Sequence, residues 1–283
     1  MDISDQFPGF ETARNSLSEK RLYKYRSLAN ETQKERVKDI VLNHKVRLSK
    51  PNDLNDPIEG KPVFQLGDLN DPVYREHFEQ WAWNTQRLLP SPPPKNEFIS
   101  WLRSLSVKQH NSKVEEISIR NQEAIDSKWR VFSLSGTSTS ELMWAHYGDS
   151  HKGLALVFDA SDGEFGVAMK VAYMRARRPI DITSQDEKEI LFSTILAKRE
   201  AWSYEEEFRC VAAEPWQPPL PHLNNQFLSF KPKQLIGVIF GAKIEAEDRQ
   251  EVLAWSKQRA APLSFSQAEI TLSGDIKCVP IQL

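Results

Sequence analysis

Cysteine is scarce in this chain. Only Cys210 and Cys278 occur in 283 residues, and neither has a second Cys or a His beside it at metal-ligand spacing. That excludes a disulfide framework and a Cys/His metal site as organising features, and both thiols are expected to stay reduced. Charge of one sign is also missing. The 37 Lys and Arg stand against 39 Asp and Glu, for a formal charge of -2 and a pI near 6.3. No global field draws such a chain to a phosphate backbone, so any nucleic-acid contact would rest on a local patch. No apolar run approaches the ~20 residues that span a bilayer. The opening residues MDISDQFPGFETARN are acidic and have no apolar export segment. These absences predict a cytoplasmic protein with no membrane partner. Three glycine motifs are missing as well: GxxxxGK[ST], GxGxxG and GxSxG. Their absence disfavours P-loop hydrolysis, Rossmann dehydrogenation and serine hydrolysis.

What is present alternates between strand and helix patterns. RLYKYRSL (21–28) reads as a strand, and NETQKERVKDIVLN as a helix with Asn30 as N-cap and Val37, Ile40 and Val41 on its apolar face. HKVRLSKP reads as a second strand, running into the turn formers of NDLNDP. From 72 to 128 two long amphipathic stretches are parted by PSPPPK, which predicts a helical hairpin with a stiff joint, inserted on a strand-rich body. WRVFSLS is then a strand, and SELMWAHYGD one or two helical turns. GLALVFD and VAMKVAYM look like an antiparallel pair. DEKEILFSTILAKREAWSYEEE reads as a helix, EFRCVAAE and LIGVIFGAKI as strands, AEDRQEVLAWSKQR as a late helix and DIKCVPIQL as a closing strand. Without a regular strand-helix-strand repeat, the pattern predicts one α+β domain over 1–283, with a mixed, mainly antiparallel β core, continuous or split.

Four stretches carry chemistry. If WSYEEEFRC is extended from Glu205 onward, Glu205, Glu207 and Arg209 share one face, with the two carboxylates about 7 Å apart beside an arginine. Such a stripe can tune or aim one carboxylate, and it can equally be an exposed ion-pair row. In YKYR, Tyr23 and Tyr25 share one strand face while Lys24 and Arg26 share the other, offering an aromatic wall and a cation. SKPNDLNDP adds Ser49, Asn52, Asn55 and Asp56, short groups that cap turns or bind hydroxyls. Finally, LMWAHYGDSHKGLALVFD crowds Trp144, His146, Tyr147 and His151 ahead of a strand. The two histidines stand five apart, which fits neither a helical metal pair nor a strand face, so no metal site is expected. The aromatics either anchor the core or wall a pocket.

LYKYRSL, RLSKPNDLNDP, FSLSGTSTSELMWAHYGDSHKGLALVFD and WSYEEEFRCV, in this order, resemble the bacterial domain-of-unknown-function family 2971, over about 22–241. The helical insertion departs from that pattern. The order of parts also resembles the layout of ADP-ribosyltransferases: a first strand with a basic or aromatic residue, a helix, a second strand with a Ser or aromatic residue, and a late strand opening on E-x-E. That resemblance implies NAD as a substrate and an acceptor macromolecule, protein or nucleic acid. It also implies a toxin or anti-phage role, with an antitoxin or partner subunit. Glu207 would stabilise the charge on the ribose, Glu205 would activate the acceptor, and Arg26 would pair with the pyrophosphate. Tyr23 or Tyr25 would stack on nicotinamide, and Ser49 or Asn52 would hold a ribose. Trp144, His146 and Tyr147 would wall the pocket, with Arg209 beside the ligand. Two alternatives stay open. One is a metal-independent nuclease using His146 and His151 for acid–base work with Lys152 and Arg209 on phosphate. The other is a non-catalytic module that binds a small ligand and a partner.

Overall fold

The computed structural model describes residues 11–18, 20–184, 186–215 and 222–282. Residues 1–10, from the acidic opening stretch, and Leu283, the last residue of the stretch expected as a closing strand, lie outside them. Eight strands build the main sheet: β1 (Arg21–Arg26), β2 (Trp129–Ser135), β3 (Leu154–Asp159), β4 (Met169–Lys170), β5 (Glu207–Ala213), β6 (Leu235–Phe240), β7 (Ser264–Ile270) and β8 (Ile276–Pro280). Their spatial order is β8-β7-β6-β3-β1-β2-β5-β4, in one continuous sheet. Only β6 and β7 run parallel; the other neighbours are antiparallel.

Strand alternation sorts the side chains onto two faces. Leu22, Phe132, Leu134, Leu156, Phe158, Phe208 and Phe240 pack on one face, under Val37, Ile40 and Val41 of helix α1 (Glu31–Asn43) and Val252 and Trp255 of the late helix Ala246–Ser256. Asn30 caps α1 as expected, accepting from Gln33 N at 3.0 Å. The opposite face carries two separate apolar patches. Tyr25, Ala155, Val157 and Ile239 gather under Met143 and Trp144, and Val131 and Val211 gather under Leu191 and Ile195. Between these patches runs a polar strip made by Ser133, Ser135, Glu207 and Arg209.

The helical insertion forms three helices rather than two: Pro72–Gln86, Lys95–Ser104 and Val107–Lys128. The second stretch breaks because Ser106 starts a new helix, with Ser106 N donating to Gln109 Oε1 at 2.8 Å in a capping box. Phe78, Phe98 and Leu102 give this segment its own small core with Ile182.

Several expected pairings differ. VAMKVAYM does not pair with β3, since both edges of β3 are occupied by β1 and β6. Its first part is β4, on the edge of β5, and Ala172–Met174 pairs in parallel with Ala197–Arg199. The long helix expected over DEKEILFSTILAKREAWSYEEE stops at Glu187–Thr194, where Leu191 O accepts from both Ile195 N and Leu196 N and closes the last turn. The strand Ala197–Arg199 and a 3-10 helix, Glu200–Glu205, follow. Lys45–Arg47 pairs with Phe227–Ser229 outside the main sheet. No helix among the described residues is long and apolar enough to cross a membrane.

Candidate functional site

The polar strip is the floor of a cavity of about 220 Å³. Tyr23, Ser135 and Glu207 sit directly opposite one another across β1, β2 and β5, and Arg209 follows opposite Ser133. Above this floor come Lys198, Glu205, Tyr147 and the loop that carries Ser49, Asn55 and Glu59. The loop is brought there by Ser49, whose backbone exchanges two 2.8 Å hydrogen bonds with Val131.

Glu205 does not belong to the strand. It ends the 3-10 helix, and Glu206 follows in the left-handed region at φ 44. The expected Glu205–Glu207–Arg209 strand stripe is therefore corrected: only Glu207 and Arg209 share the strand face. The reversal still brings both carboxylates to one partner. Lys198 Nζ lies 2.5 Å from Glu205 Oε2, 3.1 Å from Glu207 Oε2 and 3.6 Å from Glu59 Oε2. Arg209 clasps Glu207 with two donors, Nε to Oε1 at 2.7 Å and Nη2 to Oε2 at 2.8 Å, and its Nη2 also meets Glu59 Oε1. Tyr147 Oη donates to Glu205 Oε1 at 2.7 Å, and Glu207 N donates to Tyr173 Oη at 2.8 Å. The Ser135 hydroxyl fixes the turn by donating to Glu205 O at 2.7 Å.

All five charged groups are buried: Arg209 is 0% exposed, Glu207 2%, Glu205 4%, Glu59 6% and Lys198 8%. Three carboxylates against two cations leave one negative charge in excess if all are ionised. The electrostatics follow that arrangement. Burial, opposed by Lys198 and reinforced by Glu205, holds the Glu207 carboxyl above the usual carboxylate range. Burial alone would lower Lys198, but Glu207 and Glu205 outweigh it and its ammonium is held above its ordinary value. Burial and then Glu205 push the Tyr147 phenol up. Tyr147 thus stays a proton donor to Glu205 over the whole neutral range.

Of the residues singled out in the sequence, Tyr23, Lys24, Tyr25, Arg26, Ser49, Asn55, Tyr147, Glu205, Glu207 and Arg209 line the cavity. Asn52, Trp144 and His146 are not part of its wall. Asn52 is exposed, and it ties the loop to the helix Val107–Lys128 by accepting from Gln122 Nε2 at 3.3 Å and donating its N–H to Asp126 Oδ1 at 2.9 Å. Trp144 is fully buried, packs edge-on to Tyr25 at 5.0 Å and donates its indole N–H to Ser138 O at 2.9 Å. It anchors the helix Glu141–His146 so that Met143 and Tyr147 reach the cavity. His146 is exposed, 6.2 Å from the Tyr204 ring, while His151 stacks on Trp144 at 6.4 Å. Reasoning from sequence missed Lys198, Glu59, Tyr173, Ser133 and Ser135. The one available signal was the excess of acid in EEEFR, which must find a cation when buried. Among the described residues no group of three or more His, Cys, Asp or Glu has the arrangement to hold a metal ion.

Residues 143–210 match the model of a family described as "Protein of unknown function (DUF2971)". The matched span holds Tyr147, Lys198, Glu205, Glu207 and Arg209, and so most of the buried cluster. No curated protein and no solved structure matches the chain.

Proposed function

We propose that the cavity takes the nicotinamide riboside end of NAD and that the protein is an ADP-ribosyltransferase-like enzyme acting on a macromolecule. One observation carries this reading: a buried cluster of Glu59, Glu205 and Glu207 with Lys198 and Arg209 forms one side of a cavity flanked by Tyr23, Tyr25 and Tyr147. A carboxylate on that side favours a ligand group that becomes positively charged, and tyrosine rings favour a flat one. At about 220 Å³ the cavity is smaller than the roughly 300–1,000 Å³ of a typical drug-sized pocket, which suits one ring and its sugar rather than a whole dinucleotide. Arg26 and Arg47 stand in the same wall for the phosphates that would follow.

In the transfer, the bond from ribose C1′ to nicotinamide breaks and its electron pair leaves with nicotinamide. A bond from C1′ to the acceptor's nucleophile forms, and the nucleophile's proton passes to a carboxylate. Glu205 is the better placed carboxylate for contact with the ligand. Its Oε1 is engaged only by the Tyr147 hydroxyl, which a ribose hydroxyl can replace. Both oxygens of Glu207 are held by Arg209 and Lys198, so Glu207 is a positioning residue that keeps Lys198 against Glu205. Uncontrolled modification of a macromolecule would harm the host cell, which fits a toxin or anti-phage effector restrained by an antitoxin or partner subunit. No observation favours the nuclease alternative, because neither His146 nor His151 lines the cavity.

The test uses NAD labelled in its adenylate phosphate, mixed with cell lysate and the protein. Transfer of label to a macromolecule by the wild type, lost in a folded Glu205→Gln variant, is the expected result. Equal labelling by both proteins, or none by either, would overturn the assignment.

A further inference from the structure

The main sheet opens between two of its central strands. β1 pairs with β3 along its whole length, from Arg21 to Arg26, and β2 pairs with β5 from Trp129 to Ser135. β1 and β2 themselves meet in register only at Tyr23 and Ser135. The cavity of about 220 Å³ lies where they part, lined by Tyr23 to Arg26 from one strand and by Val131 to Ser135 from the other. Ser49 fills the far end of the opening by pairing with Val131. Lys24 reaches across the gap: its Nζ donates to Ser133 O at 2.6 Å and lies 4.8 Å from the centre of the Phe132 ring. This half-buried amine has no carboxylate partner among the described residues. The acids of the cavity wall are taken by Lys198 and Arg209, which hold Glu59, Glu205 and Glu207. A backbone carbonyl accepts from an amine as well as from an ammonium, so the one hydrogen bond at Nζ does not require the charge. Burial lowers the ammonium most, Arg26 and Lys198 add to that, and the more distant Glu207 and Glu205 oppose it without cancelling it, so that it falls to about 7. About half of the amine then carries a free lone pair at neutral pH.

We infer that Lys24 is a nucleophilic amine that holds a small aldehyde in this cavity as an imine. A desolvated lysine facing a cavity is the setting in which such adducts form. The Nζ lone pair attacks the carbonyl carbon, a C–N bond forms, and the carbonyl oxygen becomes a hydroxyl by taking one amine proton. The carbinolamine then loses that hydroxyl with the remaining N–H proton as water, which leaves the C=N bond. No oxidant, reductant or further reactant is consumed. An aldehyde asks least of the surroundings, because its addition needs an unprotonated amine and no leaving group beyond water. The cavity volume limits the ligand to about one ring, and Tyr23 and Tyr25 offer that ring flat walls. Nothing in this inference draws on NAD or on the role assigned to Glu205.

The test treats the wild-type protein at pH 7 with benzaldehyde and sodium cyanoborohydride, which reduces an imine to a stable benzylamine. Peptide mass spectrometry then maps the modified positions and their rates. Lys24 should label ~100-fold or more faster than the surface lysines, whose ordinary value near 10.4 leaves only about four amines in ten thousand unprotonated. The chain's α-amino group, ordinarily at about 8, labels in parallel and serves as the internal reference. In urea strong enough to unfold the chain the advantage at Lys24 should vanish, because the gap and the burial go with the fold. Labelling of Lys24 no faster than of the surface lysines would overturn the inference, and so would an advantage that survives unfolding. Rapid labelling of Lys24 in a protein that leaves NAD intact would keep this amine while removing the transferase reading, and cleavage of NAD by a protein whose Lys24 stays unlabelled would do the reverse.

Discussion

Replacing Lys198 with methionine keeps most of the side-chain stem and removes the charge that three carboxylates share. In the folded protein the ammonium lies 2.5 Å from Glu205, 3.1 Å from Glu207 and 3.6 Å from Glu59, inside a cluster that water barely reaches. Without it Arg209 alone faces three acids. At 3.1 Å and an effective dielectric constant of about 20, the attraction to Glu207 alone is about 5 kcal/mol. The variant is spared the cost of burying the ammonium, so the expected net loss is ~3–5 kcal/mol, the range for breaking a buried pair from one side. The loss should depend on pH in a defined direction. Burial already raises the Glu207 carboxyl, and removing Lys198 raises it further. A carboxyl whose folded-state value lies above its unfolded one contributes stability at low pH that is lost as pH rises through the folded value. Urea unfolding should therefore show a larger deficit at pH 8 than at pH 5. A deficit under ~1 kcal/mol, or one that is the same at both pH values, would refute the view that this cluster is a dry, mutually dependent unit.

Two other expectations follow from local geometry. A Cβ on Gly153 would lie 2.1 Å from Arg26 O, and the backbone there is pinned by hydrogen bonds from Gly153 N to Gly148 O and from Gly241 N to Gly153 O, both 2.9 Å. Gly153→Ala should cost ~1–3 kcal/mol or more in chemical denaturation, and wild-type stability would show that β1 and β3 can separate freely at this end. Lys24 Nζ donates to Ser133 O at 2.6 Å, and burial, with repulsion from Arg26, lowers its ammonium from 10.5 to about 7. A lowered base contributes stability at high pH that is lost as pH falls through the folded value. Between pH 10 and pH 7 the wild type should lose stability relative to Lys24→Met, and parallel stability curves would contradict the placement of that amine.

The strands that carry the site were legible for physical reasons. RLYKYR alternates, LALVFD and LIGVIF are close to continuous apolar runs because both faces of the sheet are covered there, and WRVFSLS and EFRCVAA are buried runs broken by the polar residues of the strip. The polar loop after Lys50 announced itself through Asn, Asp and Pro, and it does lie over the polar strip. The residues of the E-x-E-x-R stretch were the right ones to single out, but their geometry was not visible. A left-handed Glu206 replaces the expected extended backbone, and the convergence of Glu205 and Glu207 depends on it. Lys198 and Glu59 left no local trace. AKREAW looks like a solvated helix, and its single turn from strand to 3-10 helix is imposed by pairing with Ala172–Met174. The strand SFSQAEI, with Phe265 and Ala268 as its buried positions, was too weakly patterned to read. Trp144 was conspicuous for its aromatic neighbours, yet its role is to hold Tyr147 in place from beneath.

The most direct test of the account follows NAD by proton NMR in the presence of the purified protein and cell lysate. Free nicotinamide should appear with the wild type and be absent with Glu205→Gln, whose thermal unfolding should confirm that it is folded. NAD that stays intact under these conditions, or nicotinamide released equally by the Glu205→Gln variant, would contradict the claim that this buried carboxylate cluster is built to cleave it.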